Sequence, residues 1–254
     1  MDEKTSEKLL ALNYEFYETF VQPFAASRSL SDPALTCILP HIPQRARVLD
    51  VGCGNGRFAL LLDRERPGTT YVGIDAVPGL IEVARAQASQ LATVSSEFRV
   101  SDIARPGWSE ELYSTRPATL HRTGFDRVVI LAVLHHIPSF GLRLKVLRES
   151  ASMLKSDGRL ILSTWQFLDS ARLRRKIVDW AEVSIAEEAL EPSDYLLDWK
   201  REGRGLRYCH LVDEVEVERL AAESGLRVRE TFRAGGREGN LSLFAILDKD
   251  LITQ

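Results

Sequence analysis

The chain has 254 residues, 44% hydrophobic and 27% charged, which is enough apolar material for a substantial core at an ordinary charge load. The formal net charge of −3 excludes a surface coated in basic residues but not a local basic patch. No apolar run approaches the roughly 20 residues of a membrane span. The charged start "MDEKTSEK" is unlike a leader peptide, and three scattered cysteines (Cys37, Cys53, Cys209) without a CxxC pair argue for a reducing, cytoplasmic setting and against a disulfide framework or a zinc site built from this chain alone.

In chain order, residues 5–25 place Leu9, Leu10, Tyr14, Tyr17, Phe20, Val21 and Phe24 at helical spacing, and a short helix is predicted over 32–40. "ARVLDVGC" predicts a buried strand, "GRFALLLDRE" a helix, "TYVGID" a strand, and "PGLIEVARAQASQL" a helix opened by Pro78. "EFRVSD" is a third strand, followed by a polar stretch over 103–124. "FDRVVILAVL" is a fourth strand, "FGLRLKVLRESASML" a helix and "GRLILSTWQ" a fifth strand. Alternation of this kind predicts a mostly parallel sheet with helices on both faces. Beyond it, a helix is predicted over 169–186 and an irregular Pro- and Gly-containing stretch up to Leu211. Asp213 with Glu216 resembles a capping box for "EVERLAAESG", which Gly225 stops. "LRVRETFRA" and "NLSLFAILDK" alternate as an antiparallel pair at the sheet edge.

"VLDVGCGNGRF" sets Gly52, Gly54 and Gly56 between a strand and a helix, where glycine permits a sharp turn and close approach of a ligand, and a helix start offers free N–H groups. The last glycine of the dinucleotide fingerprint is replaced by Arg57, and no GK[ST] follows to make a phosphate loop. What stands is DxGxGxG from Asp50. Asp75 closes the second strand about 20 positions on, suited to a ribose, and Asp102 ends the third, suited to an adenine amino group. Each alone could be a solvated strand-end residue; three acids at the carboxyl ends of three successive strands mark the edge where open α/β sheets bind ligands.

This set resembles the class I S-adenosylmethionine-dependent methyltransferases over about residues 46–165. The resemblance implies a Rossmann-like, doubly wound, mostly parallel seven-stranded sheet with an antiparallel last strand. It implies that Gly52, Cys53 and Gly54 wrap the methionine part of the cofactor, that Asp75 holds the ribose and that Asp102 with Ile103 frames the adenine, with Asp50, Ala76 and Leu131 also in the cofactor site. An N-terminal helical cap over 1–40 then covers the cofactor, with Arg28 and Tyr17 as partners of its carboxylate; 46–165 is the core, 166–211 an insertion on the acceptor side, and 212–254 the last helix and strands of a single domain.

His135 and His136 end strand four. Strand geometry points them to opposite faces, against shared metal ligation. Either one is packed and one exposed, or they shape the acceptor pocket beside the transferred methyl. The stretch "DWKREGRGLRYCHLV" packs Trp199, Tyr208 and His210 among Lys200, Arg201, Arg204 and Arg207, and Arg172, Arg175 and Lys176 precede it. Aromatic rings with guanidinium groups bind unstacked bases. A solvated helix and loop is the alternative, since Glu187, Glu188, Glu191, Asp194, Asp198 and Glu202 nearly cancel the charge. "VLDVGCGNGRF", "AVLHHI" and "WKREGRGLRYCHLVDEVEVERL" together resemble the Trm9/ALKBH8-type tRNA methyltransferases, which esterify a carboxymethyl group on the wobble uridine. That resemblance implies substrate roles for Trp199, Arg207, Tyr208 and His210, an anticodon loop as partner, and a small zinc-containing activator protein as a second partner. A small-molecule acceptor with 166–211 as a lid, and a non-catalytic interaction module, are the other two readings.

Overall fold

The computed structural model describes residues 1–28, 32–114 and 124–250. Its centre is a seven-stranded sheet built from β1 (Arg47–Val51), β2 (Thr70–Asp75), β3 (Ser95–Val100), β4 (Phe125–Leu131), β5 (Leu154–Trp165), β9 (Leu226–Ala234) and β10 (Ser242–Lys249). The order is β3-β2-β1-β4-β5-β10-β9. Strands β1 to β5 pair in parallel, while β10 runs antiparallel to both β5 and β9. The C-terminal hairpin forms the sheet edge as the alternation predicts, with β10 beside β5 and β9 outermost. The composition explains this: Leu243 to Leu247 are all buried, whereas β9 alternates partly exposed residues.

Helices cover both faces as the alternation predicts: α1 (Glu3–Thr19), α2 (Val21–Ala26), α3 (Pro33–Thr36), α4 (Arg57–Glu65), α5 (Pro78–Ala88), α6 (Trp108–Ser114) and α7 (Phe140–Ser152). Asp2 caps α1 by accepting from the Thr5 N–H at 2.7 Å, and Pro78 opens α5. Helix α6 falls inside the stretch expected to be irregular, because Trp108 and Leu112 bury their side chains in the core; positions 115–123 of that stretch lie outside the described residues. No helix among the described residues is long and apolar enough to cross a membrane.

The insertion is where sequence and structure part. Instead of a helix over 169–186 there is one turn, α8 (Ala171–Arg174), and the short strand β6 (Ile177–Val178). Instead of an irregular stretch there is a hairpin, β7 (Asp194–Lys200) with β8 (Arg204–His210), making a second, antiparallel sheet β6-β7-β8. The hairpin turn places Glu202 at φ 52° and Gly203 at φ 132°, a bend that composition alone disguises as a charged loop.

Two polar networks tie this second sheet down. Helix α1 packs across β8, and the Asn13 side chain acts as a missing strand: its amide donates to the Tyr208 and His136 carbonyls, both at 3.1 Å, and accepts from the Tyr208 N–H at 2.8 Å. On the other side Arg143, 1% exposed, donates to Glu216 at 2.6 Å and Glu191 at 3.0 Å. His210 donates through Nδ1 to Asp194 at 2.6 Å and through Nε2 to Glu216 at 2.8 Å, so both ring nitrogens carry protons. Glu216 belongs to α9 (Glu214–Glu223), whose cap Asp213 accepts from its N–H at 2.9 Å; the other half of the capping box is missing because the Glu216 carboxylate is spent on Arg143 and His210.

Asn13→Ala strands the Tyr208 N–H, at roughly 1–3 kcal/mol, while the Tyr208 carbonyl keeps the His136 ring N–H, so it is expected to lower the denaturant midpoint while keeping the sheet intact. The His210 ring has its own pH signature. Burial pulls its pKa down, but the hydrogen bonds to Asp194 and Glu216 outweigh that and hold it above the ordinary imidazole value. A raised folded pKa gives stability that is full below about 6.5 and lost as pH rises through the raised value. The stability gap between wild type and His210→Gln is therefore expected to be widest near pH 6 and to narrow towards pH 9 in urea titrations; a gap that widens with pH contradicts the assignment.

Candidate active site

Strand β1 stops at Val51 and the chain turns through Gly52 (φ 78°) and Gly54 (φ 56°) into α4. A Cβ on Gly52 would sit 2.4 Å from a methyl of Val133, so this position needs both the left-handed backbone and the absence of a side chain. A Cβ on Gly54 would meet only the Phe24 ring at 3.8 Å, so the space above it is open. The Gly54 N–H donates to one Asp75 oxygen at 2.8 Å and the Val77 N–H to the other at 3.0 Å. Asp75 thereby fixes the turn while facing a cavity of about 1000 Å³.

Arg28, Gly52, Cys53, Gly54, Asp75, Ala76, Asp102, Ile103 and Leu131 all line that cavity. Asp50 does not. It is 2% exposed beneath the turn, takes a 2.5 Å hydrogen bond from the Tyr71 hydroxyl, and has its other oxygen unpartnered. Burial, against the Tyr71 hydrogen bond and with the Asp75 charge adding to it, pushes its carboxyl up to about 7. The expected direct contact of Asp50 with a cofactor is thus corrected to support of the loop from behind. Asp102 is partly occupied: it accepts from the Ala104 N–H at 3.0 Å and lies 3.3 Å from Arg105. Arg28 stacks on Phe24 at 4.2 Å, with no carboxylate in ion-pair distance among the described residues. Burial, and then the charge of Arg57, pull its pKa down to about 10.

Strand β4 ends at Leu131, and a left-handed Ala132 (φ 59°) turns the chain into a short 3₁₀ turn, Leu134–His136. The histidines are therefore not alternating strand residues, and their rings lie side by side with centroids 4.3 Å apart. His135 is 1% exposed and accepts the Trp165 N–H through Nδ1 at 3.3 Å; it does not reach the cavity. His136 does reach it. Its Nδ1 lies 3.0 Å from the Tyr208 carbonyl, which can only accept, so Nδ1 carries the proton and Nε2 accepts the Tyr17 hydroxyl at 2.8 Å. Burial, reinforced by the charge of Arg207, pushes the His136 pKa down to about 3. It is a neutral, fully engaged ring throughout the neutral range.

Trp199, Arg207, Tyr208 and His210 are all buried and none lines the cavity. Tyr208 turns its hydroxyl to Asp194 at 2.7 Å and His210 belongs to the Arg143 network, so the expectation that these two meet a substrate is corrected: strand alternation and the charge network point them inward. Arg207 is different. Its guanidinium lies among Trp165 at 5.0 Å, Phe16 at 5.2 Å and Trp199 at 5.3 Å, its Nε has no partner, and no carboxylate among the described residues stands in ion-pair distance of it. Its charge acts on the Tyr17 hydroxyl, and Tyr17 lines the cavity. Sequence reasoning missed Val133 under the glycine turn, Trp108, and the inner face of α1 with Leu10 and Tyr14. The spacing of Leu10, Tyr14 and Tyr17 announces a helix face but not the cavity it covers.

The cavity fits an adenosyl amino acid: an open glycine turn, an acid at the end of β2, a polar strand end beyond it, and an uncompensated Arg28 for a carboxylate. A model of the methyltransferase domain family matches residues 22–231. The chain belongs to that family and is an S-adenosylmethionine-dependent methyltransferase. A protein of Encephalitozoon cuniculi named as a methyltransferase is 28% identical over 237 residues, 93% of this chain and 94% of its own length. The ubiquinone biosynthesis O-methyltransferase of Xanthomonas campestris is 35% identical over 119 residues, a match to 47% of this chain and 43% of that enzyme. An S-adenosylmethionine-dependent methyltransferase structure from Methanosarcina mazei shares the fold with a TM-score of 0.62 at 22% identity, over 84% of this chain and 96% of that one.

Asp75→Asn keeps one acceptor for the turn, sets an amide NH2 against the other loop N–H and removes the charge facing the cavity. It is expected to weaken S-adenosylmethionine binding by about 1.5–3 kcal/mol, read by calorimetric titration, and to lower the melting temperature as well. Gly52→Ala is expected to lower both, because its Cβ collides with Val133.

Proposed function

We propose that this methyltransferase esterifies a carboxylate, and that the carboxylate is the carboxymethyl group of a tRNA wobble uridine. The observation that carries the reading is Arg207, a buried cation with no carboxylate in ion-pair distance among the described residues, whose charge acts on Tyr17 of the cavity wall. A planar guanidinium is suited to a carboxylate acceptor. The state of His136 points the same way. A hydroxyl or amine acceptor benefits from a base, whereas a carboxylate is already ionised at neutral pH. His136, with both nitrogens engaged and its pKa pushed down to about 3, is a poor base.

The cofactor supplies an electrophilic methyl carbon on a positively charged sulfur. The rest falls to the chain. Arg207, behind the Tyr17–His136 pair of the cavity wall, supplies the positive charge that attracts the carboxylate, Tyr17 and His136 wall off water, and the apolar packing of Phe16, Trp165 and Trp199 keeps that charge strong by excluding solvent. One carboxylate oxygen forms the new bond to the methyl carbon, the carbon–sulfur bond breaks with its electron pair going to sulfur, and no proton moves. The resemblance of the segments around Gly52, His135 and Trp199 to the wobble-uridine enzymes supports the tRNA acceptor. A small-molecule acceptor is the competing reading, favoured by the partial match to an O-methyltransferase of ubiquinone biosynthesis.

Incubation with methyl-labelled S-adenosylmethionine and total tRNA is expected to label the tRNA with a group that mild base releases. Label found only in a small-molecule extract overturns the tRNA acceptor, and a base-stable label overturns the ester. Arg207→Met, which keeps bulk and removes charge, is expected to lower kcat/KM for the acceptor roughly 10- to 100-fold with cofactor affinity unchanged, the range set by losing a charge-assisted hydrogen bond.

A further inference from the structure

We propose that the outer face of the small sheet around Trp199 is a docking surface for the phosphate backbone of single-stranded RNA, built from Arg172, Lys176 and Arg201 and leading inward to Arg207. This rests on the reading of the acceptor as RNA, and it concerns how the strand is held rather than which atom is methylated.

Of the acids that by composition nearly cancel the bases of the insertion, Asp198, Glu191 and Asp194 are committed elsewhere, as is Glu182, while Glu187, Glu188 and Glu202 make no ion pair among the described residues. Asp198 takes Lys200 at 2.9 Å and Arg204 at 3.2 Å, and Glu182 takes Arg204 at 2.9 Å. Glu191 turns inward to Arg143 and Asp194 to His210 and Tyr208. What is left is a set of cations gathered on one indole. Around the Trp199 ring stand Arg207 at 5.3 Å, Arg201 at 5.8 Å and the Lys176 ammonium at 6.0 Å. None of these, nor Arg172, has a carboxylate in ion-pair distance among the described residues. Glu202, in the same turn as Arg201, pairs with none of them. Burial, then the charges of Arg207, Arg172 and Arg201, lower the Lys176 pKa, which places all four within reach of one another's fields. Cation–π contact with one shared indole does not offset gathering like charges. The missing counter-charge comes from outside the chain.

The partner's shape follows from the path. Arg172 and Arg201 are exposed, Lys176 is half-buried, and Arg207 is buried against the same Trp199 ring, with its charge acting on Tyr17 of the cavity wall. A flat anionic membrane would meet the outer cations but send nothing inward. A flexible single strand can leave its phosphates on the rim and pass one nucleotide towards Arg207, the arrangement of basic groove and aromatic ring by which single strands are held.

The test is RNA binding without turnover. An unmodified anticodon stem-loop is titrated by fluorescence anisotropy against the protein saturated with S-adenosylhomocysteine, over a salt series. Each phosphate contact on a single strand contributes about 0.7 to the slope of log K against log salt. The triple variant Arg172→Ala, Lys176→Ala, Arg201→Ala is expected to flatten that slope by about 2 and to weaken binding at low salt at least tenfold, with cofactor affinity and melting temperature unchanged. The double variant Arg172→Ala, Arg201→Ala, altering exposed residues only, is expected to flatten it by about 1.4. Arg227→Ala with Arg229→Ala, on the far edge strand, is expected to leave it as in wild type. A wild-type slope in the triple variant overturns the proposal, as does an RNA that fails to bind wild type or vesicles of anionic lipid that bind in its place. If the variants flatten the slope yet tRNA receives no base-labile methyl, the docking surface stands and the ester reading falls.

Discussion

One side-chain amide holds the acceptor side of this enzyme together. Asn13 supplies the Tyr208 N–H with an acceptor and the Tyr208 carbonyl with a donor, so a helix serves as the neighbour that an edge strand lacks. Its second N–H bond, to the His136 carbonyl, fastens the turn after β4 to the same point. Because Asn13 fixes the rotation of α1, Tyr17 one turn on meets His136 and Phe16 meets Trp199 and Arg207. Three segments far apart in sequence are thus indexed to one another through backbone groups, which cannot be exchanged for a different side-chain packing.

Two buried arginines with opposite surroundings separate architecture from chemistry. Arg143 and Arg207 are 1% and 5% exposed. Arg143 has two carboxylates and a backbone carbonyl, so its charge is compensated within the fold. Arg207 has three aromatic rings and, among the described residues, no carboxylate in ion-pair distance, so its desolvation is met only in part. The proposed anionic acceptor would complete that compensation. Arg28, on the cofactor side of the cavity, shows the same imbalance, and its pKa falls to about 10 in consequence.

The core of the fold was legible because each strand from β1 to β5 carries its own apolar run and each intervening helix its own start signal, such as Pro78. The glycine turn and the acids at the strand ends were legible for a related reason: they depend on local backbone geometry. The insertion was not. In "DWKREGRGLRYCHLV" the residues that become a buried hairpin are polar or charged, because Asp198 and His210 satisfy themselves in ion pairs rather than by avoiding the interior. Hydrophobic periodicity cannot see a strand whose inward side chains are Asp, Tyr and His. Asp50 was misplaced for a subtler reason: its position in the motif is right, but whether a carboxylate reaches the cavity or the Tyr71 hydroxyl depends on a neighbour 21 residues away.

The pair of histidines shows how much of the chemistry is set by what surrounds a group. A histidine at a cavity wall ordinarily suggests a base. Here the Tyr208 carbonyl dictates which nitrogen of His136 is protonated, the Tyr17 hydroxyl occupies the other, and burial beside Arg207 keeps the ring neutral. The tyrosine is tied as firmly, since burial raises its pKa despite the opposing charges of Arg207 and Arg28. Neither group is arranged to take a proton from an acceptor. What they hold is each other and the Tyr208 carbonyl, a closed stretch of cavity wall in front of Arg207, so what this wall can contribute is direction and dryness.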